Sequence, residues 1–332
     1  MNKKRHHYIP KAYLKFFCDE EGMVYVYPKD TPGKFFLQAP DSTGFHKYYY
    51  SQPMPEGGTD HNTLENLFSQ LESKWPTIVE RLKRREDVND SLEDIFAFMG
   101  LQRVRVPASR DAMEKADAEM VKTTLRALDA AGKLPPKPRG FEDILDRVDV
   151  SIDPHRSIHA MAHVLRGLGQ MFNRMGIGAL HNATDIPFLT SDNPIVWFDP
   201  SMPEAAMQPY VLRPGGAIVL LFPVTPRLMI YGHSSMKDRF ASEGLGSGEI
   251  GKRESVKMMN RQICRFAYKA VFAQAPGQDR LIEKYASLSP VLQTTAAPAG
   301  SGQLLLHRMV FGRRQTKPKW HPRSSETGEP KE

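Results

Sequence analysis

Residues 64–82 read Leu-Glu-Asn-Leu-Phe-Ser-Gln-Leu-Glu-Ser-Lys-Trp-Pro-Thr-Ile-Val-Glu-Arg-Leu. The apolar members, Leu64, Leu67, Phe68, Leu71, Trp75, Ile78, Val79 and Leu82, recur at three- and four-residue spacing, the stripe of an amphipathic α-helix. Thr59-Asp60 stands where a cap is expected, and Pro76 predicts a kink. Working outward, the spacing predicts helices over 91–104, 109–131, 141–149 and 155–175. Pro107, the prolines between Gly132 and Gly140, and Asp153-Pro154 separate them. Upstream, His6–Phe17 reads as a short amphipathic helix entered through Pro10, followed by strands at Met23–Tyr27 and Phe35–Gln38 and a long loop over 40–60.

Beyond residue 178 the pattern changes. Pro187–Leu189, Ile195–Phe198, Ala217–Phe222 and Leu228–Tyr231 are short β-prone runs bounded by Pro and Gly. A helix over Arg253–Phe266, a strand at Ala270–Ala273 and a helix over Asp279–Leu288 follow. Gly215-Gly216 and Gly244-x-Gly246-x-Gly248 read as flexible connections, because neither follows a strand and opens a helix as a phosphate-binding loop does. The expected fold class is α+β, mainly helical with a small, mostly antiparallel sheet. Residues 1–290 are expected as one unit, helix-rich over 60–175 and strand-rich over 178–290. Residues 291–332 turn to Pro, Ala and Gly and then to a basic tail, with disorder expected after Gly312.

The chain has 332 residues, 40% of them hydrophobic, which is ample for a core. No apolar run is long enough for a membrane span, and the polar, aromatic opening does not continue as a signal peptide does. Cys18 and Cys264, far apart among apolar neighbours, read as two reduced thiols, so the cytoplasm is the expected address. The net charge of +7 sits at the ends: Lys3, Lys4 and Arg5 supply +3, and residues 308–332 supply +4. Such ends fit contact with nucleic acid or a protein partner, and they fit solvated tails as well.

Several segments together resemble a family of bacterial and fungal proteins catalogued as domain of unknown function 4238. The run His6-His7-Tyr8-Ile9-Pro10-Lys11-Ala12-Tyr13-Leu14-Lys15-Phe16-Phe17 is similar to its HHYxPxxYLxxF opening, although Ala12 replaces a usual aromatic residue. Leu64–Phe68 with Leu71-Glu72 is similar to its helix motif, and Leu101-Gln102 with Arg105-Val106-Pro107 to its LQ…RxP segment. Phe188-Leu189-Thr190-Ser191-Asp192-Asn193-Pro194 resembles its TSDNP motif. Phe222–Pro226 and Asn260 with Val271-Phe272 complete the likeness, which covers about residues 6–273. The resemblance implies no activity.

Chemistry therefore has to be argued from side chains. His6 and His7 titrate near neutral pH and suit proton transfer. Asp192 closes a strand at a Pro-fixed turn, a place where a carboxylate can orient a histidine or bind a divalent ion, with Ser191 and Asn193 as hydrogen-bonding neighbours; the same residues also make a plain turn. Glu65 and Glu72 are about 10 Å apart along one helix face, which fits one extended site but not one metal ion. Arg103, Arg105 and Arg110 suit phosphate or carboxylate, and would need acidic partners if buried. His155, His159 and His163 share a face but span about 12 Å, too far for one ion. These residues lead to two expectations. The first is a phosphodiester hydrolase (a nuclease) with His6, His7, Asp192 and Glu65 catalytic, and with Tyr13, Asn66, Arg105, Ser191 and Asn193 binding substrate. A divalent metal would be compatible. The second is a non-catalytic binding or regulatory module in which these polar groups form a buried network and the basic tail contacts a partner.

Overall fold

The computed structural model describes residues 4–299 and 302–320. The N-terminal region comprises strands β1 (Arg5–His7), β2 (Val24–Pro28), β3 (Phe36–Gln38), β4 (Phe45–Lys47), β5 (Gln52–Pro53) and β6 (Thr59–Asp60), with helix α1 (Lys11–Leu14) after β1. Helices α2 (Thr63–Lys83), α3 (Leu92–Arg105), α4 (Pro107–Ala130), α5 (Ile144–Arg147) and α6 (Pro154–Phe172) follow. The remainder runs β7 (Gly176–Asn182), β8 (Thr190–Ser191), β9 (Val196–Phe198), β10 (Val219–Thr225), β11 (Leu228–His233), α7 (Lys237–Glu243), β12 (Gly246–Ile250) and α8 (Arg253–Phe266). It closes with β13 (Ala270–Ala273), α9 (Asp279–Tyr285), β14 (Ser289–Ala299) and β15 (Gly302–Gly312).

Strand β10 organises the core. All seven of its residues are buried, as a strand covered on both faces requires. Because successive side chains point to opposite faces, Leu220, Phe222 and Val224 join a core with Trp75, Phe98, Ile177 and Ile230. Val219 and Leu221 join a second core with Met229, Val256, Ile263 and Phe266. Trp75 stacks on Phe98 at 4.0 Å between ring centroids, with Phe222 beside it at 5.5 Å. Burial of each such aromatic ring contributes about 2–3 kcal/mol.

The expectation of one small sheet is corrected. A five-stranded sheet runs β12-β7-β11-β10-β9, and a four-stranded sheet runs β3-β2-β13-β8. Three two-stranded pairs, β1-β4, β5-β6 and β14-β15, accompany them among the described residues. The mixed α+β class holds, and pairing is antiparallel apart from β12 on β7. Strand β12 contains Gly246 and Gly248, two of the glycines read as a flexible connection. Its backbone pairs with β7, a strand the sequence pattern had not marked, and Gly246 faces Gly178. Gly244 ahead of it has φ +75°, and the Asn89 Oδ1 that accepts the Leu245 amide at 2.8 Å occupies the space a Cβ would need.

His6 and His7 lie on β1, paired with β4, ahead of helix α1, which is entered through Pro10, an N-cap still in extended conformation at ψ 137°. Helix α2 runs continuously through Pro76, with Asp60 Oδ1 accepting the Asn62 and Thr63 amides ahead of it. Despite their Pro/Ala/Gly content, β14 and β15 pair antiparallel over eleven register positions. Residues 313–320 have no helix or strand but bond to the body of the protein; 321–332 lie outside the described residues. Among the described residues no helix is long and apolar enough to cross a membrane.

Candidate functional site

Residues 98–110, spanning the end of α3 and the start of α4, are buried without interruption, although they include Gln102, Arg103, Arg105 and Arg110. A helix buried all round must satisfy its polar groups internally. Arg105, 1% exposed, donates to Glu72 Oε1 at 2.5 Å and to Gln102 Oε1 at 2.8 Å. Gln102 in turn donates to the Tyr8 carbonyl at 2.9 Å, which ties the N-terminal segment to α3. Arg110 donates to Ser157 Oγ and to the carbonyls of Tyr49 and Pro154, and its guanidinium lies 3.9 Å from the Tyr49 ring centroid. Arg103 has no carboxylate partner among the described residues: it donates to Ser109 Oγ and stacks 3.8 Å from the Tyr210 ring centroid. Burial lowers its pKa, with the Tyr210 hydroxyl opposing the shift. Among the described residues, the expected acidic partner is found for Arg105, which pairs with Glu72.

His6 is fully buried. Its Nδ1 accepts the Tyr50 amide at 2.8 Å, and its ring stacks on Tyr50 at 5.7 Å. Tyr50 closes a circuit by donating its hydroxyl to the Arg105 carbonyl at 3.4 Å. His7 points the other way, half-buried, with Nε2 donating to the Asp41 carbonyl at 3.3 Å. Burial lowers its pKa against the opposing effect of that bond. Opposite His6 in the ladder sits His46, which the sequence reading missed; its ring packs on Tyr8 and Tyr49, each at 5.1 Å. Burial and then the nearby Lys269 push its pKa down to about 4.

The TSDNP turn lies at the end of β8, against β13. Asp192, 1% exposed, accepts the Tyr268 amide at 2.8 Å on one oxygen and the Lys269 amide at 2.7 Å on the other. Burial raises its pKa while those amides oppose the shift. Ser191 Oγ accepts the Asn193 amide, and Asn193 Nδ2 donates to the Tyr210 hydroxyl at 2.6 Å and the Phe266 carbonyl at 2.7 Å. Tyr13 joins this turn to the N-terminal motif: its buried hydroxyl donates to the Pro223 carbonyl at 2.6 Å and accepts from Thr190 Oγ1 at 2.5 Å. Asn260 brackets the same strand, its Oδ1 accepting the Leu189 amide and its Nδ2 donating to the Pro187 carbonyl, both at 2.9 Å. Lys29, also missed, buries its ammonium on the carbonyls of Cys264, Ala267 and Leu288. Burial brings its pKa down to about 8.

The structure thus gathers His6, Tyr13, Arg105, Ser191, Asp192 and Asn193 in the interior. Glu65 and Asn66 lie on the first turn of α2, Glu65 half-buried and Asn66 exposed, and His7 stands apart at the surface. The His155-His159-His163 face builds no metal cluster among the described residues: Asp153 caps α6 and bonds His155 Nδ1 at 2.7 Å. Two surface openings lie beside the network. One, about 630 Å³, is lined by Lys11, Lys15, Ser69 and Glu72 between α1 and α2. The other, about 460 Å³, lies between α4, residues 149–152, the β14–β15 pair and the tail.

This convergence of the opening, the α3 end, the TSDNP turn and Asn260 coincides with a match of residues 5–276 to the family model described as protein of unknown function DUF4238. The chain belongs to the DUF4238 family. No curated protein and no solved structure matches it. The match to the DUF4238 model stops before β14 and β15, so these strands and the tail that border the second opening lie outside the matched segment.

Proposed function

We propose that this DUF4238 protein is a non-catalytic binding or regulatory module, in which the motif residues build a rigid polar interior and the ligand meets the surface beside α4. The observation that carries this reading is Asp192: both carboxylate oxygens are taken by backbone amides at 1% exposure, leaving it neither an imidazole to orient nor a substrate to reach. Tyr13, His6 and Arg105 are likewise closed inside protein. Two free cysteines support a reducing, cytoplasmic setting. A nucleic-acid partner would draw on the charge at Lys3, Lys4 and Arg5, since part of the C-terminal charge is engaged within the protein.

A phosphodiester hydrolase is the second reading, and one observation favours it. His7 is half-exposed, and Lys11 and Glu72, which both line the α1–α2 groove, are its electrostatic neighbours. In that reading His7 moves the proton, with Lys11 and Lys15 holding phosphate and any divalent ion supplied by solution. The test is incubation of the full chain with labelled RNA and DNA, with and without Mg²⁺ or Mn²⁺, beside His7→Ala of matched melting temperature. No cleavage by either protein supports the module. Cleavage lost in His7→Ala overturns it.

A further inference from the structure

Asp111 and Glu114 stand one turn apart on α4, and the side chain of Glu114 is only 9% exposed. Two carboxylates so placed repel one another unless a cation lies between them. Lys317 supplies it: Nζ is 2.9 Å from Asp111 Oδ1 and 2.6 Å from Glu114 Oε2. The remaining oxygens are also engaged, with the Tyr268 hydroxyl donating to Asp111 Oδ2 at 3.0 Å and Ser157 Oγ 3.1 Å from Glu114 Oε1. Burial opposes the Lys317 charge, and the two carboxylates outweigh it, so its pKa is raised.

The segment that delivers this ammonium continues from β15 and, among the described residues, is held by side-chain contacts. Residues 313–320 form no helix or strand; Arg314 pairs with Asp30 and lies 5.3 Å from the Tyr268 ring centroid, and Gln315 accepts from Lys115 at 3.0 Å. The Lys317 side chain is 51% exposed although its ammonium is held by both carboxylates. The cavity of about 460 Å³ continues beside it, with room for residues flanking a lysine. The acid pair and Tyr268 lie within the DUF4238 match, whereas Lys317 lies beyond it.

We propose that Asp111, Glu114 and Tyr268 form a binding site for the ammonium of a lysine in an extended basic peptide, and that Lys317 of the chain's own tail occupies it until such a peptide displaces it. The proposal rests on the binding-module reading and names its ligand. A tethered occupant acts at an effective concentration on the order of millimolar, so a free peptide meets strong competition until the tail is disabled.

The test titrates a fluorescent peptide of sequence Arg-Arg-Gln-Thr-Lys-Pro-Lys-Trp, that of residues 313–320, against the full chain and against Arg314→Ala/Gln315→Ala/Lys317→Met. The variant is expected to bind at least about tenfold more tightly than the wild type by anisotropy. Adding Asp111→Asn/Glu114→Gln should remove that binding, and a peptide with Met in place of its first lysine should not bind. Equal affinity for wild type and variant, or binding that survives loss of the two carboxylates, overturns the proposal. Should the tail variant fold poorly, acetylation of the wild type read by mass spectrometry decides. Lys317 should react more slowly than Lys319, and Asp111→Asn/Glu114→Gln should erase the difference; equal rates in the wild type overturn the proposal. Nuclease activity is read separately, so absence of both cleavage and peptide binding removes this site but leaves the module reading intact.

Discussion

Asp192 and Asp111 are held by opposite ends of Tyr268, one by its backbone amide and the other by its hydroxyl. Asp192 is further bound by the Lys269 amide and shut in the interior, whereas Asp111 meets a lysine from a tail that has no secondary structure of its own. A carboxylate satisfied by backbone is fixed for as long as the fold lasts. One satisfied by a half-exposed side chain can exchange its partner at the cost of an ion pair. The same residue type, one aromatic ring apart, is therefore fixed by backbone in one place and paired with a tail side chain in the other.

The largest effect should come from the closed side. Asp192→Ala leaves the Tyr268 and Lys269 amides buried without acceptors, at about 1–3 kcal/mol each, so urea unfolding should show a loss of about 3–5 kcal/mol. Asp192→Asn keeps one acceptor and should lose about half as much. A loss near zero would break the contrast and return Asp192 to the list of functional groups.

An intermediate effect should appear as a pH dependence at the boundary between the two regions, where His46 has Asp111, Arg110, Lys269 and Lys317 as electrostatic neighbours. Its folded pKa of about 4 lies below the ordinary value of 6.5, so between these the unfolded chain binds the proton more readily. Stability is therefore undiminished above pH 6.5 and falls as pH drops towards 4, by about 1–2 kcal/mol once partial exposure is discounted. His46→Phe should flatten the stability curve between pH 7 and pH 5. An unchanged slope would show that the His46 ring is hydrated and open.

The smallest effect belongs to the exchangeable side. Asp111→Asn keeps the shape and an acceptor for Tyr268, and the Lys317 ion pair it weakens is half in solvent, so the expected loss is below about 1 kcal/mol by thermal unfolding. A loss comparable with that of Asp192→Ala would mean that the tail is part of the core.

Much of the architecture was legible because it follows from local pattern. The stripe from Leu64 to Leu82 did become α2, and Arg253–Phe266 and Ala270–Ala273 have the expected bounds. Strand β12 was not legible, since its glycines pair only because β7 lies alongside, and the β14–β15 pairing escaped because each strand is specified by the other. For the site, the sequence singled out His6, Tyr13, Arg105 and Asp192, and all four are buried polar groups held by hydrogen bonds. It could not say whether that constraint was a substrate or the fold, because both require a hydrogen-bonding side chain at a fixed place.

By itself the sequence determined the α+β class, the helical stripe, the family and the concentration of charge at the ends. These depend on periodicity, motif and composition, which a single chain carries along its length. Only the tertiary structure decided that Asp192 is closed by two amides, that Arg105 finds Glu72 across 33 positions, and that Lys317 reaches the acid pair on α4 from more than 200 positions away. The partner of a buried or captured charge is chosen by packing in three dimensions, and no local rule of spacing encodes it.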